Sequence, residues 1–341
     1  MMKVLDGLVI AIIAGLITNA IGGEVFKALE GKHEIFSLLR HTVYISQLVV
    51  PVLVGGMVAQ SFKLDQIETA VVSMVSFIAS GNVKATEAGL EIAGIGDLIN
   101  TLLMVSVAVY VVLKLRGKFG SLKIILLPLI VVTLVGFLGL VTLPYVSGFT
   151  RAIGLLVERV THLQPLLMSV LISIIFSIII ISPISTVAVA LAISLAGLGS
   201  GAAGMGITAA AAVLVTGSMK VNAMGTTMAV LLGSPKIFMK NWVQYPKLNI
   251  PLISVAAITG LAGYLLNIQG TPESAGFGLA GLVGPINALA LMEGQSLLTS
   301  LLSVFIAFGL VPFVSAFLIN KLLVDVLNVF DYEIYKFGGH E

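Results

Sequence analysis

Cysteine is absent from these 341 residues, which excludes disulfides, thiolate metal sites and a cysteine nucleophile. Charge is nearly as scarce. Only 10% of the residues are charged, against about 25% in soluble domains, too few to clothe a water-exposed surface. The histidines, His33, His41, His162 and His340, are scattered and form no HExxH pair, so no metal and no cofactor is expected. Walker loops, GxSxG elbows and paired catalytic carboxylates are also missing, so the chain does not read as an enzyme. A net charge of +2 gives no footprint for nucleic acid.

Hydrophobic residues make up 58% of the chain, and the mean hydropathy is +1.13. No Asp, Glu, Lys or Arg occurs in 124–150, 248–272 or 294–320, and none in 160–219. A helix crosses the hydrocarbon core with about 20 apolar residues, so the last run alone accommodates two crossings or more. Blocks such as VLISIIFSIIII do not alternate, which argues against a transmembrane barrel. The reading is an all-α, polytopic membrane helix bundle with about 8–11 membrane segments and an uncleaved first helix. The loops 114–123 and 236–247 carry lysine and arginine but no acid, which places both on the cytoplasmic side.

Residues 149–163 carry apolar side chains at three- and four-residue spacing, with Arg151, Glu158 and Arg159 off that face. They read as an interfacial or linker helix over 148–165, joining an N-terminal half (1–147) to a C-terminal half (166–341). An internal repeat supports two halves. Ala88-Gly89, Ala93-Gly94 and Ile99-Asn100 recur at an offset of 187 as Ala275-Gly276, Ala280-Gly281 and Ile286-Asn287.

Both copies lie in glycine-bearing stretches, 84–100 and 270–290, that make poor membrane helices. Irregular backbone survives at membrane depth only inside protein or beside water. The two stretches are therefore expected to be re-entrant hairpins around a polar solute, the alternative being ordinary surface loops. Within or beside them stand Asn82, Glu87, Asp97, Asn100, Ser274, Asn287 and Glu293, and Lys220, Asn222 and Thr226 interrupt an apolar run between them. Carboxylates, carboxamides, hydroxyls and an ammonium suit a hydroxylated or anionic ligand. Each also has a structural reading: Asp97 or Glu293 as a helix cap, Lys220 snorkelling, an asparagine tying two helices.

The phrases VERVTHLQPLLMSVLISIIFSIIIISPISTVAVALAISLAG (157–197), GSMKVNAMGTTMAVLLGSPKIFMKNWVQYPKLNIPLI (217–253) and NIQGTPESAGFGLAGLVGPINA (267–288) resemble the EIIC-like permeases of the sugar phosphotransferase system. The likeness is to the PfoR-type branch, sometimes described as toxin regulators. It implies a dimeric, multi-pass permease of the bacterial plasma (inner) membrane for a sugar-like solute, moved by alternating access. Since this sequence has neither a phosphocysteine nor a soluble segment long enough for a IIA or IIB domain, the resemblance leaves two readings: separate IIB and IIA subunits for phosphorylation, or a facilitator that works without it. The glutamate-bearing GITE phrase of glucose-type relatives is absent, so their binding residues do not transfer. A membrane sensor with a transporter-like fold, docking a regulator through loops 114–123 and 236–247, is the alternative.

Overall fold

The computed structural model describes residues 2–87, 89–272, 274–292 and 296–337. Over these the chain is almost wholly helical, as the charge-free runs require, with a single two-stranded sheet among the described residues. It divides into two compact units, Met1–Phe149 and Thr150–Glu341. Among the described residues five helices are long and apolar enough to cross a membrane: Leu98–Leu115, Gly120–Thr161, Gly197–Ser218, Pro246–Leu265 and Leu297–Val326. The pair Glu34–Leu48 and Val50–Ser61, bent by 47°, counts as a sixth if taken as one span, and Gln66–Ser80, Pro165–Ile181 and Ala280–Leu291 are shorter apolar helices. Breaks and short helices thus make up much of the expected membrane content.

The first unit begins with α1 (Met2–Leu29), α2 (Glu34–Leu48), α3 (Val50–Ser61) and α4 (Gln66–Ser80). Small residues let these helices touch through their backbones, the contact that works between helices in lipid. A Cβ on Gly7 of α1 would lie 2.4 Å from the Val58 nitrogen of α3. Pro51 has no N–H to offer the preceding turn, and the helix breaks at Val49. Carbonyls beside the break find side chains instead. Asn82 Nδ2 donates to Leu48 O at 3.2 Å, and Ser76 Oγ donates to Pro51 O at 2.5 Å.

Asp65 and Glu68 form a capping box at the start of α4. Buried Glu68 accepts Arg116 Nε at 3.1 Å and Lys123 Nζ at 2.8 Å, and Lys123 also pairs with Asp65. Arg116 and Lys123 of the basic loop are therefore paired within this unit.

After α4 the chain forms an antiparallel hairpin, β1 (Val83–Thr86) and β2 (Gly89–Ile92), with Lys84 opposite Glu91. The stretch 84–100 is thus not a helical re-entrant pair. Its two strands have unpaired outer edges, its residues Lys84, Glu87 and Glu91 are exposed, and hydrocarbon could satisfy none of these groups. The hairpin base is fixed by Ala93 N to Asn82 O and Asp97 N to Ser80 O, both 2.7 Å. Asp97 then caps α5 (Leu98–Leu115).

The boundary between units falls inside α6 (Lys123–Thr161), 39 residues with Pro128 and Pro144 within it. Residues 149–161 are the C-terminal end of this helix. At 1.5 Å per residue α6 runs about 58 Å, roughly twice the hydrocarbon thickness.

The second unit is built on α9 (Gly197–Ser218), of which 94% of the most apolar window is buried. Against it pack α7 (Pro165–Ile181), α12 (Asn249–Leu265) and α14 (Leu297–Val326). Gly206 approaches the Ser173 carbonyl so closely that a Cβ would sit 2.0 Å from it. Between these lie the short helices α8 (Thr186–Ala192), α10 (Met224–Leu232), α11 (Met239–Gln244) and α13 (Val283–Leu291). Of these, α10 has only nine residues, too short to cross.

Candidate functional site

In the second unit residues 268–272 and 274–279 run as turns and irregular chain, buried or half-buried, along the glycine-rich start of α9. Two glycines zip the segments together: Gly197 N donates to Gly270 O at 2.8 Å, and Gly270 N to Gly197 O at 3.0 Å. The approach is close enough that a Cβ on Gly201 would lie 1.9 Å from Ile268 O. Gly278, at φ +59°, turns the chain beneath α13, and its carbonyl accepts Gly284 N at 2.8 Å.

Polar side chains converge on this cradle. Ser200 Oγ donates to Thr271 O at 2.7 Å. Thr271 N is shared between Ser274 Oγ at 2.9 Å and Asn287 Oδ1 at 3.0 Å. Ser274 Oγ lies 2.9 Å from the same Asn287 oxygen. Asn287 is half-buried, and its Nδ2 has no hydrogen-bond partner among the described residues; the same holds for the Thr271 hydroxyl. Asn267 and Gln269 add two more carboxamides, joined at 3.2 Å. Such groups can donate to and accept from a hydroxylated ligand without a charge.

One wall of the cradle is the break between α7 and α8. Thr186 Oγ1 donates to Gly276 O at 2.8 Å, and a Cβ on Gly276 would strike the Val187 backbone at 2.7 Å. At the other side of the break, Lys236 Nζ donates to Ser182 O at 2.5 Å and Ile184 O at 2.7 Å. Lys236 is 4% exposed, and burial pushes its ammonium down to about 7. It does not belong to an exposed basic loop.

Of the residues expected to bind solute, the structure joins Ser274 and Asn287 in the cradle. The first unit holds four others. Asn82 is buried and spent on Leu48 O and Ser80 Oγ. Asn100 is buried, donates to Ala79 O at 2.7 Å and Gly139 O at 2.9 Å, and accepts Thr142 Oγ1 at 2.7 Å. Asp97 caps α5 through Asn100 N at 2.9 Å, and Glu87 is exposed at the hairpin turn.

Lys220 and Asn222 belong to a different construction, a socket for the segment 331–337. Asn222 Nδ2 donates to Tyr335 O at 2.6 Å, and Asn222 Oδ1 accepts Phe337 N at 2.7 Å. Asn241 Nδ2 binds the carbonyls of Ile334 and Lys336, and Tyr335 Oη donates to Asn320 Oδ1 at 2.7 Å. Lys220 stands 6.0 Å over the Tyr332 ring. Thr226 is half-buried in α10. Glu293, with Ala88 of the repeat and His340, lies outside the described residues.

Sequence reasoning missed Thr186, Ser200, Thr271 and Lys236. The signal for the first was present: Ser182-Pro183-Ile184-Ser185 punctuates an otherwise apolar run, a stop and restart of helix. No pattern singled out Ser200 or Thr271.

A family model described as "Phosphotransferase system, EIIC" matches residues 2–337. No curated protein and no solved structure matches the chain.

Proposed function

This chain belongs to the EIIC family of the phosphotransferase system, and from that membership we propose that it moves a sugar or sugar derivative by alternating access, holding it in the 267–287 cradle. As an EIIC protein it is a multi-pass transport component of the inner membrane and not, by itself, a catalytic domain. The observation that carries the site is the pair of open valences at Thr271 Oγ1, on irregular chain, and Asn287 Nδ2, on α13, both half-buried. Polar groups half-hidden from water and left unpaired are what a polyhydroxylated ligand would complete. Irregular backbone sheltered by α9 is also the form in which a re-entrant segment survives at membrane depth. On this reading the protein works as a homodimer, and phosphorylation falls to separate IIB and IIA subunits.

Uptake into proteoliposomes across a panel of sugars tests the proposal. Saturable flux should appear for at least one sugar. Asn287→Ala should raise the half-saturating concentration about 10-fold or more, the worth of one or two hydrogen bonds, with little effect on folding. Absence of saturable flux for every candidate, or Asn287→Ala transporting like the parent, would overturn it. The sensor reading loses support because three of the seven cations in those two loops, Arg116, Lys123 and Lys236, already have partners within the protein.

A further inference from the structure

The α7–α8 break is held from two sides, and the two holds are two residues apart. Lys236 takes the carbonyls of Ser182 and Ile184, and Thr186 reaches across to the cradle at Gly276 O. The last carbonyls of α7 and the unwound turn beyond it have no intrahelical N–H to bind, and a cation is their natural complement. In transporters, carbonyls of broken helices and half-helix C-terminal ends coordinate the coupling Na⁺ or H⁺. Here a tethered ammonium stands in that position, with no carboxylate paired to it among the described residues.

We propose that Lys236 is a proton-binding site coupled to the cradle: protonated, it holds the 182–186 break, and on losing its proton it loosens that break and shifts Thr186 and Gly276. One proton passes between Nζ and water. The neutral amine keeps N–H groups but loses the charge that makes its bonds to both carbonyls strong.

The surroundings make this lysine the group that titrates. The segment 235–238 packs against α7, α9, α10 and α11. The first three carry no titratable side chain, and neither does the 182–185 turn. On α11 the charged group is Lys240, half-buried, which does not lower the charge repulsion at the site. From the 331–337 segment, Phe337 packs on Phe238, and Tyr335 lies over Gly217 with its hydroxyl kept neutral by burial. Burial alone moves Lys236 into the physiological range. The idea that solute flux follows the proton rests on the cradle reading; the titration of the break does not.

Because the chain has no cysteine, a single introduced thiol reports one place. A spin label at Ala188→Cys, exposed in the first turn of α8, should change mobility with pH, with a midpoint near neutrality. Lys236→Met should abolish that titration, Lys236→Arg should hold the low-pH spectrum throughout, and Lys240→Met should leave it intact. In proteoliposomes an imposed pH gradient should change the rate of solute uptake in the parent and not in Lys236→Arg.

A titration that survives unchanged in Lys236→Met or Lys236→Arg overturns the proposal. So does a spectrum that does not respond to pH in the parent. If the label titrates as described but no sugar is transported, the proton site stands and the cradle reading falls. If sugar flux is found while the label and the gradient have no effect, the reverse holds.

Discussion

Gly201→Ala tests the cradle at its narrowest contact. The added methyl would sit 1.9 Å from Ile268 O, and ordinary contact needs about 3.4 Å, so one segment has to yield by roughly 1.5 Å. α9 cannot yield readily, because Gly206 packs it on the α7 backbone at Ser173, and Gly260 packs α12 on the same stretch of α7. The 268–270 segment therefore moves. Overpacking costs about 1–3 kcal/mol. The displaced segment also loses one or both Gly197–Gly270 hydrogen bonds, at about 0.5–1.5 kcal/mol each. The expected loss is roughly 2–5 kcal/mol, read as a drop in unfolding temperature in detergent, together with loss of sugar uptake. Gly225→Ala, where nothing lies within 4 Å, is the control and should be silent. If Gly201→Ala melts and transports like Gly225→Ala, the close approach of 268–270 to α9 is wrong and the cradle with it.

Asn100→Ala should destabilise the first unit by about 2–4 kcal/mol, since it strips three hydrogen bonds from a buried site and leaves Ala79 O without its donor; chemical denaturation followed by circular dichroism measures it, and a loss below about 0.5 kcal/mol would refute the tie. The pH dependence of stability has a definite sign at Lys236. Its folded value, about 7, lies below the ordinary 10.5, so between these pH values the unfolded chain binds the extra proton and stability rises with pH. From pH 7 to 9 the rise is at most about 2–3 kcal/mol relative to Lys236→Met, measured as the difference between the two melting curves; equal slopes would refute the burial of the charge. Global stability and the local order of the break thus move in opposite directions with pH.

The membrane class was legible because hydrocarbon imposes it: runs without charge have one stable solution, and 160–219 supplied α7 and α9. Glycine counting marked the irregular chain within 270–290 but hid the strands within 84–100. There the period-two alternation Val83-Lys84-Ala85-Thr86 and Gly89-Leu90-Glu91-Ile92 is a strand pattern, short enough to pass unnoticed inside a glycine-bearing stretch. Lys236 was misread for a different reason. Lying eleven residues before Lys247, it looked like one member of a basic loop, and nothing local distinguishes a lysine that turns inward. Asn222 likewise owes its partners to residues more than a hundred positions away. Long-range satisfaction of polar groups is the part of a fold that composition and spacing leave open.

The two asparagines at offset 187 share a sequence position and differ in what they can still do. A carboxamide offers two donors and an acceptor oxygen. Asn100 spends both kinds inside the protein, so the first copy is a tie between α4, α5 and α6. Asn287 spends only its oxygen, and which atom is oxygen is not a matter of choice. Thr271 N can only donate, so the atom facing it at 3.0 Å has to be the acceptor. The NH₂ group is thereby left for a ligand, and the ligand has to bring an acceptor to it. Asn287→Asp separates this from a general need for polarity. It keeps the oxygen that Thr271 and Ser274 hold but replaces the donors with a second acceptor, so folding should survive while sugar binding weakens at least as much as in Asn287→Ala. Transport by Asn287→Asp at the parental half-saturating concentration would mean that the free amide faces no solute.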